Sequence, residues 1–331
     1  MSGAPGRPTP ALIVPPAPRR VLVLGGTGFV GSVLCEHLAR AGWQTTVPTR
    51  RLAHARHVQH LPGLLVLPAD VHRPGTLERL LPGHDAVVNL VAVLHGSEAR
   101  FERAHVALPR QLAQACQAQG VRRLVHVSAL GAEPQGPSMY QRSKAAGEAV
   151  LRAAALELTV LRPSVIFGAH DHFLNLFARL QARLPVLPLA GAHARFQPVW
   201  VDDVARALLF CLQHPETAGQ TIECAGPEVL SLADLVRLAG HHGSRPRPVI
   251  PLPPSLGRLQ AALMELAPGE PLMSRDNVDS MRVDNVASGT LPGLDTLGIT
   301  PASVHAVAPT YLGPRGPHGV LDAYRGHRRA R

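Results

Sequence analysis

The sequence predicts an α/β fold: a doubly wound parallel sheet with helices on both faces and a small, partly interleaved C-terminal substrate region. Three observations predict it. Short apolar runs alternate with helix-period segments through the first half of the chain. The first run ends in a glycine-rich turn that opens a helix. The texture then changes after Pro163, where prolines interrupt the apolar runs.

The elements follow in order. Residues 20–24 (Arg-Val-Leu-Val-Leu) are a continuous apolar run, as a strand buried on both faces requires. Residues 29–41 read as a helix with Val30, Val33, Leu34, Leu38 and Ala41 as its apolar stripe and Gly42 as its terminator. With a second strand at 44–49, the strand–helix–strand unit is about 30 residues long, as a parallel crossover needs. Further strands are expected at 64–67, 85–91, 123–128 and 158–162, and helices at 75–81, 101–118 and 140–156. Beyond Pro163 the pattern predicts a helix at 173–183 and a proline-broken stretch at 185–189. A strand-like Val-Trp-Val then runs into a helix ending near 214, and a short strand follows at 221–224. A helix at 231–240 is capped by Ser231, and 246–254 reads as loop.

Gly25-Gly26-Thr27-Gly28-Phe29-Val30-Gly31 lies between the first strand and its helix. One glycine makes the tight turn, a second lets a pyrophosphate approach the backbone, and a third lets helix and strand pack closely. An anion then rests on N–H groups at the positive end of the helix. This is the dinucleotide-binding pattern of a Rossmann domain, and the expected ligand is a nicotinamide dinucleotide. The second strand ends in Val47-Pro48-Thr49-Arg50-Arg51, with no acid to hold ribose hydroxyls. Arg50 and Arg51 can hold a 2′-phosphate, so NADP(H) is favoured over NAD(H). Asp70 and Val71 come just after the third strand, where the adenine ring would lie, and Leu90, Val91 and Ala92 stand at the end of the fourth along the cofactor's central stretch.

Tyr140 and Lys144 are four residues apart and share a helix face. An ammonium beside a phenol favours the phenolate, which makes Tyr140 a candidate acid or base. Lys144 can also anchor the nicotinamide ribose. Ser128, at the end of the fifth strand, is the natural third partner for a substrate oxygen, since Ala129 has no hydroxyl.

Composition sets the remaining bounds. Hydrophobic residues make up 46% of the 331, enough for a sizeable core, but with 4% aromatics that core must be built of Leu, Val and Ala. The net charge of +10 has its densest cluster in the tail at Arg325, Arg328, Arg329 and Arg331, able to meet an anionic membrane surface or partner. No aromatic and basic residues interleave as in a single-strand binder, so no nucleic acid is expected. Cys35, Cys116, Cys211 and Cys224 form no paired motif and read as reduced thiols of a cytoplasmic protein. No secretion signal is expected, and no run reaches the ~18 apolar residues of a membrane span. A peripheral position on the inner face of a membrane remains open. His54, His57 and His60 drift around a helix without an acid or Cys, so no metal site is expected. His170-Asp171-His172 reads as a solvated loop near the cleft, and Asp202-Asp203 as the cap of the following helix. The predicted organisation is a disordered Pro-rich leader at 1–18, the nucleotide domain at 19–165, the C-terminal region at 166–310 and a basic tail at 311–331.

Taken together these motifs resemble the extended or atypical short-chain dehydrogenases/reductases, the NAD-dependent epimerase/dehydratase-like group. The resemblance runs from about residue 20 to 240. It is carried by the glycine turn, His-Val-Ser-Ala-Leu-Gly-Ala at 126–132, Tyr-Gln-Arg-Ser-Lys-Ala at 140–145, Leu-Arg-Pro-Ser-Val-Ile-Phe-Gly at 161–168 and Arg-Phe-Gln-Pro-Val-Trp-Val-Asp-Asp-Val-Ala at 195–205. It implies that Pro163 and Val165 also line the cofactor. Residues 196–205, with Pro-Leu-Met-Ser-Arg-Asp-Asn-Val at 271–278, are similar to bacterial relatives of the nucleotide-binding accessory subunit of respiratory complex I. That likeness implies tight NADP(H) binding and a link to a quinone or a respiratory complex. The chain departs from the pattern at one point. The second hydroxyl that extended members carry after the fifth strand falls on Ala129, unless the register shifts by one to Ser128. Two functions stay open: hydride transfer through Tyr140 and Lys144, or a non-catalytic NADP(H)-binding accessory or assembly subunit.

Overall fold

The computed structural model describes residues 19–313 except 244, 267, 268 and 270. The expected leader at 1–18 and the arginine-rich end of the tail lie outside the described residues. The first half contains β1 (Arg20–Leu24), α1 (Phe29–Arg40), β2 (Gln44–Thr49), β3 (Leu64–Pro68), α2 (Thr76–Leu80) and β4 (Ala86–Asn89). Next come α3 (Glu98–Glu102), a π-helical turn (Arg103–Ala107) and α4 (Leu108–Gln119). They are followed by β5 (Arg123–Val127), α5 (Met139–Arg152) and β6 (Glu157–Pro163). The second half adds β7 (Ile166–Phe167), α6 (Leu174–Arg183), β8 (Leu187–Leu189), β9 (Arg195–Phe196), β10 (Val199–Trp200) and α7 (Val201–Gln213). It ends with β11 (Thr221–Cys224), β12 (Leu230–Ser231), α8 (Leu232–His242), β13 (Val249–Pro251), α9 (Pro254–Glu265), α10 (Arg275–Ser280), α11 (Val304–Val307) and α12 (Pro309–Leu312).

Seven strands form one parallel sheet in the order β11-β6-β5-β4-β1-β2-β3. The winding reverses between β1 and β4, which opens a crevice at their C-terminal ends. Because β1 is covered on both faces, its alternate residues enter different cores. Val21 and Val23 pack with Leu34 and Leu38 of α1 and Val204 and Leu208 of α7. Leu22 and Leu24 pack with Leu77 of α2, Leu112 of α4 and Leu151 of α5. That double burial is why the strand reads as an unbroken apolar run. A third core joins α6, α8 and α12 through Phe177, Leu235, Val236 and Tyr311. β11 comes from the second half of the chain yet pairs with β6, so the C-terminal region is interleaved with the sheet. All four cysteines are buried free thiols.

Several local expectations are corrected. The segment at 246–254 is not simply loop: Val249–Pro251 pairs in parallel with Leu187–Leu189 in the proline-broken stretch. A two-stranded ribbon consists only of edges, where proline is tolerated. Helix α9, started by prolines, follows without having been foreseen. His54 sits on a short 3-10 turn, Leu52–Ala55, rather than on a continuous α-helix with His57 and His60. Asp202 and Asp203 do not cap α7, whose N-cap is Trp200. Asp202 Oδ1 meets His37 Nε2 at 2.7 Å, which ties α7 to α1, and Asp203 accepts from the Ala302 N–H at 2.8 Å. Asp171 is buried rather than solvated. It accepts from the Gly168, Phe173 and Asn175 N–H groups and from the Tyr311 hydroxyl at 2.9 Å.

Helix α1 lies close on the turn before it because Gly31 has no side chain. A Cβ there would strike the Gly25 carbonyl oxygen and come within 2.6 Å of Gly26 Cα. Gly31→Ala should therefore cost about 1–3 kcal/mol, seen as a lowered urea midpoint. Gly42 has open space around it, so Gly42→Ala bears only its left-handed strain of about 1 kcal/mol. A Gly31→Ala protein as stable as the parent would contradict this packing.

Candidate functional site

The glycine turn stands at the reversal between β1 and β4. Gly25 takes φ +84°, which L side chains rarely adopt, and its carbonyl accepts from the Gly28 N–H at 2.9 Å. A Cβ on Gly26 would meet Val47 Cγ2 at 2.8 Å, so the turn is pressed onto β2. Gly28 is the N-cap of α1 and supplies no side-chain cap, and the first turn holds no acid. The leading N–H groups of α1, at Phe29, Val30 and Gly31, therefore suit an anion such as a pyrophosphate. Thr27 is half-buried within the turn. Across the crevice Leu90 comes within 3.2 Å of where a Gly25 Cβ would be. Asn89 shapes this wall: it is buried, accepts from the Val91 N–H at 3.2 Å and meets His126 Nδ1 at 3.2 Å. Ala92 is exposed beyond it.

Arg50 and Arg51 are exposed just past β2, where Thr49 Oγ1 donates to the Arg51 carbonyl at 3.2 Å. Asp70 is half-buried, and its carboxylate accepts from the His72 N–H at 3.1 Å and lies 4.0 Å from Arg103. Val71 packs against the core on the β1 face opposite α1. Pro163 accepts from the Leu130 N–H at 2.9 Å, and the Val165 N–H donates to Asn285 Oδ1 at 3.0 Å.

Helix α5 carries Tyr140 and Lys144. A reciprocal capping box between Ser138 and Gln141 starts it. Asp276, on α10, accepts from the Met139 and Tyr140 N–H groups at 2.6 and 3.1 Å. Lys144 is buried and donates to the Val127 carbonyl at 2.7 Å, which holds the ammonium at the end of β5. Burial lowers its pKa to about 8, with Glu148 pulling the other way. Burial pushes the Tyr140 phenol up to about 12, opposite to the direction an adjacent ammonium would give. Ser128 is also buried. Among the described residues its hydroxyl makes no hydrogen bond of good geometry, although it helps to hold the Glu148 carboxyl low. Burial alone would raise that carboxyl, yet Arg162, Ser128 and Arg152 together hold it below its ordinary range. Arg162 donates to it twice, at 2.9 and 2.8 Å. Ala129 is buried beside Ser128.

Three residues at this site were not anticipated from the sequence. His105, in the π-helical turn, accepts from the Val93 N–H at Nε2 (3.0 Å) and meets Ser143 Oγ at Nδ1 (2.8 Å). Ser143 Oγ donates to the Tyr140 carbonyl at 2.9 Å. These bonds are all satisfied by one neutral tautomer, with the proton on Nδ1. The ring also lies edge-on to Tyr140, with centroids 5.7 Å apart. Asp276 is the second, and it lies within the 271–278 motif. Asn285 is the third. It accepts from Ser164 Oγ at 2.7 Å and donates to the Leu130 carbonyl at 3.4 Å.

Buried neutral histidines give the fold a pH dependence. Burial, with help from Lys144, lowers His105 to about 3 and holds His126 well below its ordinary value. The unfolded chain takes up these protons near pH ~6.5, so stability falls as the pH drops from about 6.5 toward 3. His105→Gln should flatten that decline, measured as urea midpoints at about pH 7 and about pH 4. Parallel pH profiles in the two proteins would contradict it.

Comparison with known proteins bears on this geometry. A family model, the NAD dependent epimerase/dehydratase family, matches residues 21–225. The chain is 34% identical to mouse (Mus musculus) "NADH dehydrogenase [ubiquinone] 1 alpha subcomplex subunit 9, mitochondrial", over 84% of this chain and 76% of that protein. It is 31% identical to the ceramide reductase of Caulobacter vibrioides, over 69% and 72%. Among solved structures, MoeE5 in complex with UDP-glucose and NAD superposes with a TM-score of 0.68 at 19% identity, covering 88% of this chain and 97% of that one. Pal from Bacillus thuringiensis gives 0.70 at 14% identity, covering 92% and 99%. At these identities the structural likeness speaks for the fold.

Proposed function

The chain belongs to the NAD dependent epimerase/dehydratase family, and we propose that it binds NADP(H) at the start of α1 and carries out hydride transfer through Tyr140 and Lys144 in quinone or respiratory-chain metabolism. One observation carries this reading: the glycine turn, the Leu90 wall, the Val127 carbonyl that holds Lys144 and the Pro163–Val165 turn all lie at the C-terminal ends of neighbouring parallel strands. Ligands of doubly wound sheets bind there.

Each residue then has a role. The N–H groups of Phe29, Val30 and Gly31 receive the pyrophosphate. Arg50 and Arg51 hold the 2′-phosphate, and Asp70 and Val71 border the adenine. Leu90, Val91, Ala92, Pro163 and Val165 line the rest. Lys144, with a pKa of about 8, is mostly an ammonium at neutral pH and can donate to a ribose hydroxyl as well as to Val127. When bound, the nicotinamide supplies or accepts a hydride at C4. Tyr140, with a pKa of about 12, holds its proton at neutral pH. That is the form needed to protonate a carbonyl oxygen during reduction. The phenolate left behind is stabilised by the Lys144 ammonium on the same helix face.

A second reading is a non-catalytic NADP(H)-binding accessory or assembly subunit of a membrane-associated respiratory or quinone-biosynthesis complex. It is favoured by Ala129, which puts no hydroxyl at the position after Ser128 where extended family members carry one. Absence of such a donor costs about 100- to 1,000-fold in rate. The name of the mouse relative supports a respiratory partner, and that of the bacterial reductase supports turnover. Under either reading the protein works on the cytoplasmic side, with the basic tail able to meet the inner face of a membrane. Among the described residues no helix is long and apolar enough to cross one.

Oxidation of protein-bound NADPH by added quinones and carbonyl compounds separates the readings. Under the first, Tyr140→Phe lowers the rate about 100-fold or more while NADPH still binds. Binding without oxidation by any acceptor, unchanged in Tyr140→Phe, would replace the first reading with the second. For cofactor choice, Arg50→Ala with Arg51→Ala should weaken NADPH about 10-fold or more and leave NADH within about 3-fold. Equal losses for both nucleotides would contradict the assigned role of the arginines.

A further inference from the structure

Helix α9 carries its apolar residues on the wrong side for a core. Its buried positions are Gly257 and Ala261, with Gly257 against Ala190. At about 100° per residue, Leu256, Leu259 and Leu263 form a stripe on roughly the opposite face. They are 50%, 56% and 61% exposed, and Leu266, which continues the stripe just past the helix, is 81% exposed. Ile250 on β13 and Leu184 at the end of α6 are exposed as well. Single exposed leucines need no explanation, but a row of them on one helix face marks a docking surface.

The surroundings indicate what docks. Arg183, Arg245 and Arg247 gather where β8 and β13 begin. Arg245 donates to the Ala182 carbonyl at 3.3 Å and Arg247 to the Gln181 carbonyl at 3.2 Å. None of the three has a carboxylate partner among the described residues, so their charge stays available. A second copy of this chain would bring like charges together on top of a net charge of +10. The stripe itself holds no Trp or Tyr, the anchors that protein interfaces favour, and leucine is under-represented in such hot spots. Helix α9 packs on the same β8–β13 ribbon, where Gln260 donates to the Pro188 carbonyl at 3.2 Å. An exposed leucine stripe together with arginines at the start of that ribbon suits the acyl chains and phosphates of an anionic bilayer, with the helix lying flat in the interface.

We propose that α9 is a membrane-docking helix that inserts Leu256, Leu259, Leu263 and Leu266 into an anionic lipid surface, with Arg183, Arg245 and Arg247 meeting the headgroup phosphates. The inference is independent of the nucleotide reading, because no nucleotide enters its test.

The full chain would be sedimented with vesicles of phosphatidylcholine alone and of phosphatidylcholine mixed with phosphatidylglycerol. The protein should partition onto the anionic vesicles and less onto the neutral ones, and added salt should weaken the binding. Leu259→Glu with Leu263→Glu alters only exposed positions, so the circular dichroism and melting temperature should stay unchanged. The same variant should lower partitioning at least about 10-fold. Three outcomes would overturn the proposal. One is no binding to anionic vesicles. Another is salt-sensitive binding that survives the leucine changes, which would move the contact to the basic tail. The third is a dimer in analytical ultracentrifugation that the leucine changes dissociate, which would make the stripe a contact between copies of this chain.

Discussion

The close approach of α1 to the turn after β1 is the constraint on which the site depends. It exists because Gly31 lets the helix lie against the Gly25 carbonyl and the Gly26 backbone, while Gly26 lets the turn press onto Val47. Any side chain at either position would lift the helix and swing its leading N–H groups away from the crevice. The same turn brings Gly25 against Leu90, so the end of β4 is held relative to the end of β1. From that fixed edge, β4 sets β5, and β5 sets the Val127 carbonyl that receives Lys144.

The other half of the site is locked from far away in sequence. Asp276 receives the first N–H groups of α5, and Asn285 clamps the 164–165 turn to Leu130. The C-terminal region therefore contributes to the site beyond any substrate contact. It fixes the starting angle of the helix that carries Tyr140 and the turn that follows Pro163. His105 completes the support by joining the Val93 backbone to Ser143 and the Tyr140 carbonyl through one neutral imidazole.

Much of the fold was legible because parallel strands buried on both faces leave unbroken apolar runs, and glycine turns have few alternatives. The seven-stranded order agrees with that reading. The β8–β13 ribbon was not legible, because prolines mask short edge strands. Helix α9 was missed because its leucines serve no core, so periodicity carried no topological information there. Asp276 and Asn285 act over separations of more than 100 residues, which leave no local pattern. His105 was hidden because one histidine inside an amphipathic stretch gives no sign of a π-helical turn. The Tyr140–Lys144 spacing was readable, but the upward pull of burial on the phenol is visible only in three dimensions.

The glycine turn and the leading N–H groups of α1 together have the form of a preassembled dinucleotide cradle. Calorimetric titration of the full chain with NADPH, compared with Gly31→Val, tests it most directly. One saturable site per chain is expected in the parent protein, and that site should be lost in the variant. Saturable binding of equal strength in Gly31→Val, or no binding in the parent, would contradict it.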